Sequence, residues 1–229
     1  MGTLNLLEAM RRCNVNRLIF SSSAAVYGTP RDVPIRETHP LAPVSPYVQT
    51  KLDGENAIRW AGGAHGIGSI CLRYFNAAGA DLSGEIGEEH EPETHLIPLA
   101  ILAAMGKRPA ISIFGADYPT PDGTAIRDYI HVSDLARAHI QALETLAGGA
   151  PSGTFNVGTG KGHSVLEVVQ SVEKSTGHKV PYQLAGRRSG DPPSLIADAG
   201  LARELLGWLP SLTSIDEIVR SAWEWHRSR

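Results

Sequence analysis

The feature that most constrains the fold is a short apolar run, Leu18-Ile19-Phe20, which ends in three serines, Ser21-Ser22-Ser23. An apolar run of this length is typical of a strand that is covered on both faces in a parallel sheet. The pattern predicts a strand over 17–22. An amphipathic helix is predicted just before it, over 3–13, because apolar residues recur there at helical spacing.

Helical and extended patterns alternate along the rest of the chain. Further helices are predicted over 46–62, 97–105, 132–146, 165–176, 201–206 and 215–225. Further strands are predicted over 69–74, 111–114, 128–132, 154–157 and 180–184, with polar loops over 24–45 and 79–94. Because strands that alternate with helices pack as parallel sheets, the expected class is α/β with a largely parallel sheet.

The bulk composition excludes several classes of function. The chain has 229 residues, 42% of them hydrophobic, and a net charge of −3. A buried core is therefore expected, and nucleic acid is not an expected partner. No stretch approaches the roughly 20 apolar residues of a membrane span, and the start of the chain lacks a signal-peptide pattern. We expect a cytoplasmic protein in which Cys13 and Cys71 are reduced, buried thiols.

A phenol and an ammonium group are spaced for joint chemistry after the serine-ended strand. If Ser45 caps a helix that begins at Pro46, Tyr47 and Lys51 lie on one face, one turn apart. A lysine beside a phenol favours the phenolate and lowers its pKa. A Tyr-x-x-x-Lys pair is also common on solvated helix faces. The preceding strand with its serine cluster favours the catalytic interpretation, because a serine brought near the phenol can pass a proton.

Two segments resemble functional motifs but depart from them. The run 156–162 contains glycines and Lys161, but its spacing is not that of a phosphate-binding loop, so a structural strand-to-helix turn is predicted. The run 90–95 contains His90 and His95, but the spacing differs from that of the zinc-binding helix motif, and Pro92 prevents a regular helix. A surface loop without a metal site is predicted there.

Arginines in the second half of the chain suit a diphosphate ligand. The segment 187–191 places Arg187 and Arg188 beside a turn, and Arg127 stands between Ile126 and Asp128. Guanidinium groups recognise phosphate in a planar, bidentate way. With Phe114 as a stacking surface, these residues suit a nucleoside diphosphate, although an ordinary surface loop is the alternative for 187–191.

Taken together, these residues resemble the extended short-chain dehydrogenase/reductase superfamily and, within it, the UDP-glucose 4-epimerase family. The matching segments span nearly the whole chain and comprise 20–28, 45–51, 72–76, 95–98, 114–132 and 187–191. The segment 114–132 is the most specific, since a Ser-Tyr-Lys trio by itself marks only the superfamily.

The resemblance implies roles for the matching residues. Tyr47 would be the base that takes the proton of the sugar 4-hydroxyl, Lys51 would hold the nicotinamide ribose, and Ser23 would hydrogen-bond the reacting oxygen. The implied NAD-binding residues are Ser23, Tyr47, Lys51, Tyr74 and Phe75. The implied UDP-sugar-binding residues are Asn76, His95, Leu96, Phe114, Arg127, Tyr129, Arg188, Asp191 and Leu195.

The reaction implied is the 4-epimerisation of UDP-glucose and UDP-galactose, in galactose metabolism, through a transient 4-keto sugar with retained NAD. The fold implied is a partial Rossmann-like parallel sheet over 1–78, to which 125–160 return. A smaller C-terminal α+β domain over 79–124 and 161–229 would bind the UDP-sugar. A homodimer is implied as well.

One departure from the family concerns the cofactor. The strand, glycine-rich turn and helix that cradle the NAD pyrophosphate in the family do not occur in this sequence. In members of the family, roughly 100 residues of the Rossmann domain precede the helix that corresponds to 3–13. We expect an N-terminally truncated chain or a start assigned too late. By itself, such a chain is expected neither to bind NAD tightly nor to epimerise, and an inactive UDP-sugar-binding fragment is the alternative.

A second departure concerns the sugar. Leu195 stands where some members of the family carry a bulky tyrosine that limits the room around the 2-position of the sugar. We therefore expect N-acetylated UDP-sugars to fit. Sister activities on UDP-GlcNAc, UDP-xylose/arabinose or UDP-glucuronate stay open as alternatives.

Overall fold

The computed structural model describes residues 2–229 and has an α/β architecture. The helices are α1 (Gly2–Arg12), α2 (Pro46–His65), α3 (Leu96–Ala104), α4 (Val132–Ala147), α5 (Val165–Thr176), α6 (Gly200–Leu206) and α7 (Ile215–Arg227). The strands are β1 (Arg17–Ser21), β2 (Gly68–Tyr74), β3 (Asn76–Ala78), β4 (Ile111–Phe114), β5 (Ile126–His131), β6 (Gly153–Val157), β7 (Gly162–Ser164), β8 (Tyr182–Ala185) and β9 (Ser194–Leu195).

Strands β1, β2 and β6 pair in that order as a parallel sheet that is covered on both faces. Successive side chains of a strand point to opposite faces. Leu18 and Phe20 of β1 therefore pack with α1 and α2, whereas Ile19 joins the cluster that contains Ala138 and Ala142 of α4. Contacts on both faces explain why Leu18, Ile19 and Phe20 are all apolar, and the pairing confirms the predicted parallel sheet.

The second half of the chain packs around a separate apolar cluster. Helices α3, α5 and α7 meet there through Ile101, Val168 and Ile218, all buried. Strands β4 and β8 pair in parallel beside this cluster. Strand β5 joins β3 and β9 in parallel and β7 in antiparallel orientation. The division of the chain into two domains stays a prediction.

Helix α2 is longer than the pattern indicated. It was expected to end near Gly62 and Gly63, but it continues to His65, and Gly66 ends it in the left-handed conformation with φ of 68°. The amide of Gly66 donates to the carbonyl oxygen of Gly62, which closes the last turn. A glycine pair is thus tolerated inside the helix because a better terminating position follows it.

Two further predictions were wrong in detail. The predicted loop 24–45 begins with a 3-10 helix, Ala24–Tyr27. The turn after β6 leads into β7 and not into a helix, and the amides of Thr159 and Gly160 donate to the buried carboxylate of Asp128. That turn is structural, as predicted, because its donors are already used within the protein.

The two cysteines differ in their exposure to solvent. Cys13 and Cys71 are free thiols, but Cys13 is exposed and not buried as expected, because it follows the solvent-facing end of α1. Burial raises the pKa of the Cys71 thiol to about 12.

Within residues 2–229, no helix combines the length and the apolar character needed to cross a membrane.

Candidate active site

A cavity of about 820 Å³ brings together most of the residues singled out from the sequence. The predicted residues that line it are Ser23, Tyr47, Tyr74, Phe75, Asn76, His95, Leu96, Phe114, Arg127, Tyr129, Arg188 and Asp191. Lys51 and Leu195 are not among its lining residues. Leu195 instead pairs in register with Arg127 and packs against the buried cluster that contains Phe75.

Ser23 reaches the cavity from the end of β1. It is the N-cap of the 3-10 helix, and its Oγ accepts a hydrogen bond of 3.2 Å from the amide of Ala25. Serine is favoured at such a position because its short hydroxyl satisfies an otherwise unpaired amide. The cap holds the hydroxyl at the edge of the sheet, where its proton stays free to be donated into the cavity.

Tyr47 is placed by the start of α2, as the sequence predicted. Ser45 is the N-cap, its Oγ accepts from the amide of Val48 over 3.3 Å, and Pro46 is the first helical residue. Tyr47 is 60% exposed and faces the cavity. The helix start therefore presents the phenol to incoming ligands rather than to the core.

Lys51 lies one turn after Tyr47 but is directed towards the strand. Its Nζ donates to the carbonyl oxygen of Ser21 over 2.9 Å and lies 5.6 Å from the centre of the Phe20 ring. The same Nζ is 5.7 Å from the centre of the Tyr47 ring. The ammonium group thus ties α2 to the end of β1.

The expected lowering of the Tyr47 pKa is wrong for this structure. Burial raises the pKa of Tyr47, and the neighbouring Tyr74 adds to the increase. The physical reason is the position of the Lys51 charge, which is held by the carbonyl oxygen of Ser21 rather than by the phenol oxygen. The pKa of Tyr47 is therefore shifted away from the neutral range and not towards it.

A buried polar network between β2 and α2 was missed by the sequence reasoning. Arg73 on β2 donates to both carboxylate oxygens of Glu55 on α2 and to the hydroxyl of Tyr27 over 3.1 Å. Tyr27 donates to Asn156 over 2.7 Å, and Ser22 donates to Glu55 over 2.5 Å. The sequence signal that could have revealed this network is a pair of opposite charges, Arg73 and Glu55, on the inward faces of a strand and a helix. Such charges are expected to pair, because an unpaired charge is rarely buried.

Cationic and aromatic groups line the far side of the cavity. The guanidinium carbon of Arg188 lies 3.9 Å from the centre of the Phe114 ring, an arrangement in which the cation attracts the face of the ring. Arg127 forms an ion pair with Asp191. The neighbouring Arg187 turns away from the cavity and pairs with Asp117 over 2.7 Å.

The wall next to α3 carries carboxylates and imidazoles. Glu88, Glu93 and His95 line the cavity, and His95 hydrogen-bonds Glu88. This hydrogen bond raises the pKa of His95, although burial lowers it in part. The predicted surface loop is confirmed, but its two half-exposed histidines converge on Glu88 and Glu93. The sequence reasoning missed Glu88, which joins the histidines from outside the segment 90–95.

Comparison with known proteins places these residues in a family. Residues 1–158 match the family described as NAD dependent epimerase/dehydratase. The chain belongs to this family. It is 50% identical over 227 residues to the UDP-glucose 4-epimerase of Halalkalibacterium halodurans, an alignment that covers 99% of this chain and 68% of that protein.

Solved structures agree with the sequence comparison. The chain is similar, with a TM-score of 0.94 and 49% identity, to the UDP-glucose 4-epimerase of Brucella ovis in complex with NAD; 97% of this chain and 68% of that chain are covered. The enzyme of Bifidobacterium longum in complex with NAD+ and UDP gives a TM-score of 0.93 at 40% identity, with 99% and 68% covered. The α/β fold with its Rossmann-like parallel sheet is therefore that of UDP-glucose 4-epimerases.

Proposed function

We propose that this chain carries the proton-transfer and sugar-nucleotide-binding residues of a UDP-glucose 4-epimerase, an isomerase that interconverts UDP-glucose and UDP-galactose through a 4-keto sugar. One observation carries the proposal. Ser23 and Tyr47 line the same cavity as Phe114 and Arg188, so groups suited to proton transfer and to nucleotide binding face one ligand. The match to UDP-glucose 4-epimerases over 99% of the chain supports it.

Tyr47 and Ser23 act on the reacting hydroxyl of the sugar. Tyr47, exposed at the start of α2, takes the proton of the sugar 4-hydroxyl and later returns it. Ser23 donates its hydroxyl proton to the same oxygen, while one lone pair of its Oγ accepts from the amide of Ala25. Because burial raises the pKa of Tyr47 in the absence of NAD, the positive charge of a bound NAD would be needed to favour the phenolate.

The residues present fit the nicotinamide end of NAD. Lys51 uses one of its three donors on the carbonyl oxygen of Ser21 and keeps the others for ribose hydroxyls. Tyr74 and the mostly buried Phe75 offer flat apolar surface beside Tyr47. When bound, NAD supplies a reversible hydride acceptor, so no net oxidation of the sugar results.

The far side of the cavity receives the nucleotide. Phe114 and Arg188 form a stacked pair that suits the uracil ring and a phosphate, and Arg127 adds a second guanidinium group. Asp191 orients Arg127 and partly neutralises it. The remaining proposed contacts to the UDP-sugar come from Asn76, His95, Leu96 and Tyr129, which line the same cavity.

Binding and turnover are tested separately. Calorimetry with UDP on the purified chain should show one binding site. Turnover is measured in a chimera, in which this chain replaces the matched 68% of the Halalkalibacterium halodurans enzyme; UDP-galactose should be converted to UDP-glucose. A chain that binds no UDP, or a folded chimera that does not convert the sugar, would contradict the proposal. Dialysis of the chain against NAD-free buffer tests the expectation that residues 1–229 hold NAD weakly.

The proposal includes the location and assembly of the protein. The free thiols Cys13 and Cys71 suit a reducing compartment such as the cytoplasm. Helices α1 and α2 pack side by side and expose Leu4, Leu6 and Trp60, the last to 74%. Exposed apolar side chains on adjacent helices favour a homodimer that uses α1 and α2. Light scattering during size-exclusion chromatography distinguishes the monomer from the dimer.

A further inference from the structure

Four potential metal ligands converge on the wall of the cavity next to α3. Glu88, His90, Glu93 and His95 each offer one ligand atom, and these atoms all lie within 4.8 Å of one another. His90 Nδ1 is 3.0 Å from Glu88 Oε1 and 3.7 Å from Glu93 Oε1. His95 Nδ1 contacts the same oxygen of Glu88.

The carboxylates of this cluster are sheltered and not solvated surface charges. The side chains of Glu88 and Glu93 are only 18% and 9% exposed. Acidic groups on open surface often stand near histidines without any ion, because water screens them. Two sheltered carboxylates whose oxygens lie close to two imidazole nitrogens are stabilised by a central cation more strongly than exposed carboxylates are.

The surrounding fold holds the ligands in position before any ion binds. Glu93 Oε1 accepts hydrogen bonds from the amides of Thr94 and His95, over 2.6 and 2.8 Å, just where α3 begins. The carbonyl oxygen of Glu88 accepts from the indole of Trp225 on α7 over 3.0 Å. Glu93 and the backbone of Glu88 are therefore tied to α3 and α7, which lowers the ordering cost of binding at these two ligands.

We propose that Glu88, His90, Glu93 and His95 form a site for Zn²⁺ or a similar divalent transition metal. Two imidazole nitrogens and two carboxylate oxygens form a four-ligand set of the kind that tetrahedral Zn²⁺ sites use. Magnesium and calcium prefer sets made only of oxygen, and the imidazoles therefore disfavour them. The metal would clamp the loop over 79–94 to the start of α3.

The proposal is tested by direct metal binding rather than by activity. The chain is treated with a chelator, dialysed, and titrated with Zn²⁺ in the calorimeter. One equivalent should bind, and the Tm should rise with Zn²⁺ concentration because the ion binds only the folded chain. Cobalt(II) in place of zinc should give the intense visible absorption of a tetrahedral site.

Two substitutions and one control localise the site. H90Q removes a ligand that does not line the cavity, and E93Q removes a charged ligand but leaves an amide oxygen that can still accept from Thr94 and His95. Each should weaken Zn²⁺ binding at least about tenfold. H65Q, at an exposed histidine in the last turn of α2, should leave it unchanged.

Several results would overturn the metal site. One is the absence of saturable Zn²⁺ binding by the unsubstituted chain. Another is equal affinity of the unsubstituted chain, H90Q and E93Q. The third is a loss of affinity in H65Q as large as that in H90Q, since this would mean binding by scattered surface histidines. Melting curves recorded without metal establish that all the variants fold.

Discussion

Arg73 donates two hydrogen bonds to the carboxylate of Glu55 inside the protein, from Nε over 2.9 Å and from Nη2 over 2.5 Å. The pair joins β2 to α2, whose first turn carries Tyr47. Both side chains are less than a tenth exposed. The position of α2 against the sheet thus depends on a buried ion pair whose two residues do not line the cavity.

Removal of one partner of this pair should be strongly destabilising. In E55L, Arg73 keeps a buried charge without its counter-ion, and the free energy of unfolding should fall by about 3–5 kcal/mol. Urea denaturation measures the change. E8Q, which breaks the exposed pairs of Glu8 with Arg11 and Arg12, is the control and should change stability little. An E55L protein as stable as E8Q would contradict the role given to the buried pair.

The phenol of Tyr47 should be essential for turnover but not for nucleotide binding. In the chimera, Y47F should lower kcat by about 10²–10⁴-fold, since that is the usual contribution of a positioned acid–base group. The affinity for UDP should be unchanged, because the proposed contacts to the nucleotide come from Phe114 and Arg188. Y182F, at an exposed tyrosine on β8, is the matched control. Equal kcat in Y47F and Y182F would remove Tyr47 from the mechanism.

Two adjacent arginines allow a direct test of the nucleotide site. R188A should weaken UDP binding roughly 10–100-fold, because it removes the cation above Phe114 and, with it, the proposed charge-assisted hydrogen bond to the phosphate. R187A removes the neighbouring guanidinium, which pairs with Asp117 outside the cavity, and should leave UDP binding nearly unchanged. Calorimetry with UDP measures both. The reverse order of effects would place the phosphate on Arg187.

Stability should fall as the solution becomes acidic, in part because of His131. Its Nδ1 accepts from the amide of Ser133 over 3.1 Å, and Nε2 contacts Ser221 Oγ over 3.1 Å. The hydroxyl of Ser221 donates to Ile218, so Nε2 carries the proton and the ring is neutral. Burial lowers the pKa of His131, although the acidic residues Asp134, Asp81 and Glu217 oppose the shift in part.

The direction of the pH effect follows from proton counting. As the pH falls, the unfolded chain takes up the His131 proton near the ordinary pKa of about 6.5, at a higher pH than the folded chain does. The contribution of His131 to the free energy of unfolding is therefore fully present above that pH and is lost below it. H131N keeps an acceptor for the Ser133 amide and should reduce the difference in stability between about pH 7.5 and about pH 5.5. The lowered pKa of His226 leaves a residual slope. An unchanged slope in H131N would exclude His131 as a source.

The specificity expected from Leu195 is testable in the same chimera. The unsubstituted chimera should convert UDP-GlcNAc as well as UDP-glucose. L195Y should lower the rate with UDP-GlcNAc relative to the rate with UDP-glucose, because the larger ring takes up room next to Phe75 and Arg127. L195M, which nearly conserves volume, should keep the ratio. Failure of the unsubstituted chimera to convert UDP-GlcNAc would refute the expectation.

Local features were predictable from the sequence because neighbouring residues decide them. Ser45 and Pro46 place the start of α2 through a cap and a fixed φ angle, and the one-turn spacing of Tyr47 and Lys51 follows from helix geometry. The two-sided apolar run of β1 is likewise a local pattern with one structural meaning. The fold class followed from such segments, whereas most of the cavity residues were implied by the resemblance to the epimerase family.

Only the tertiary structure decided which distant groups the charged side chains pair with. It directs Lys51 to the carbonyl oxygen of Ser21 and away from the phenol, buries Arg73 against Glu55, and brings Glu88 to the histidines of the loop. The physical reason is that a capping residue or a helix turn is set by contacts a few residues apart. The partner of a charged side chain is instead set by the packing of whole helices and strands, which no short pattern contains.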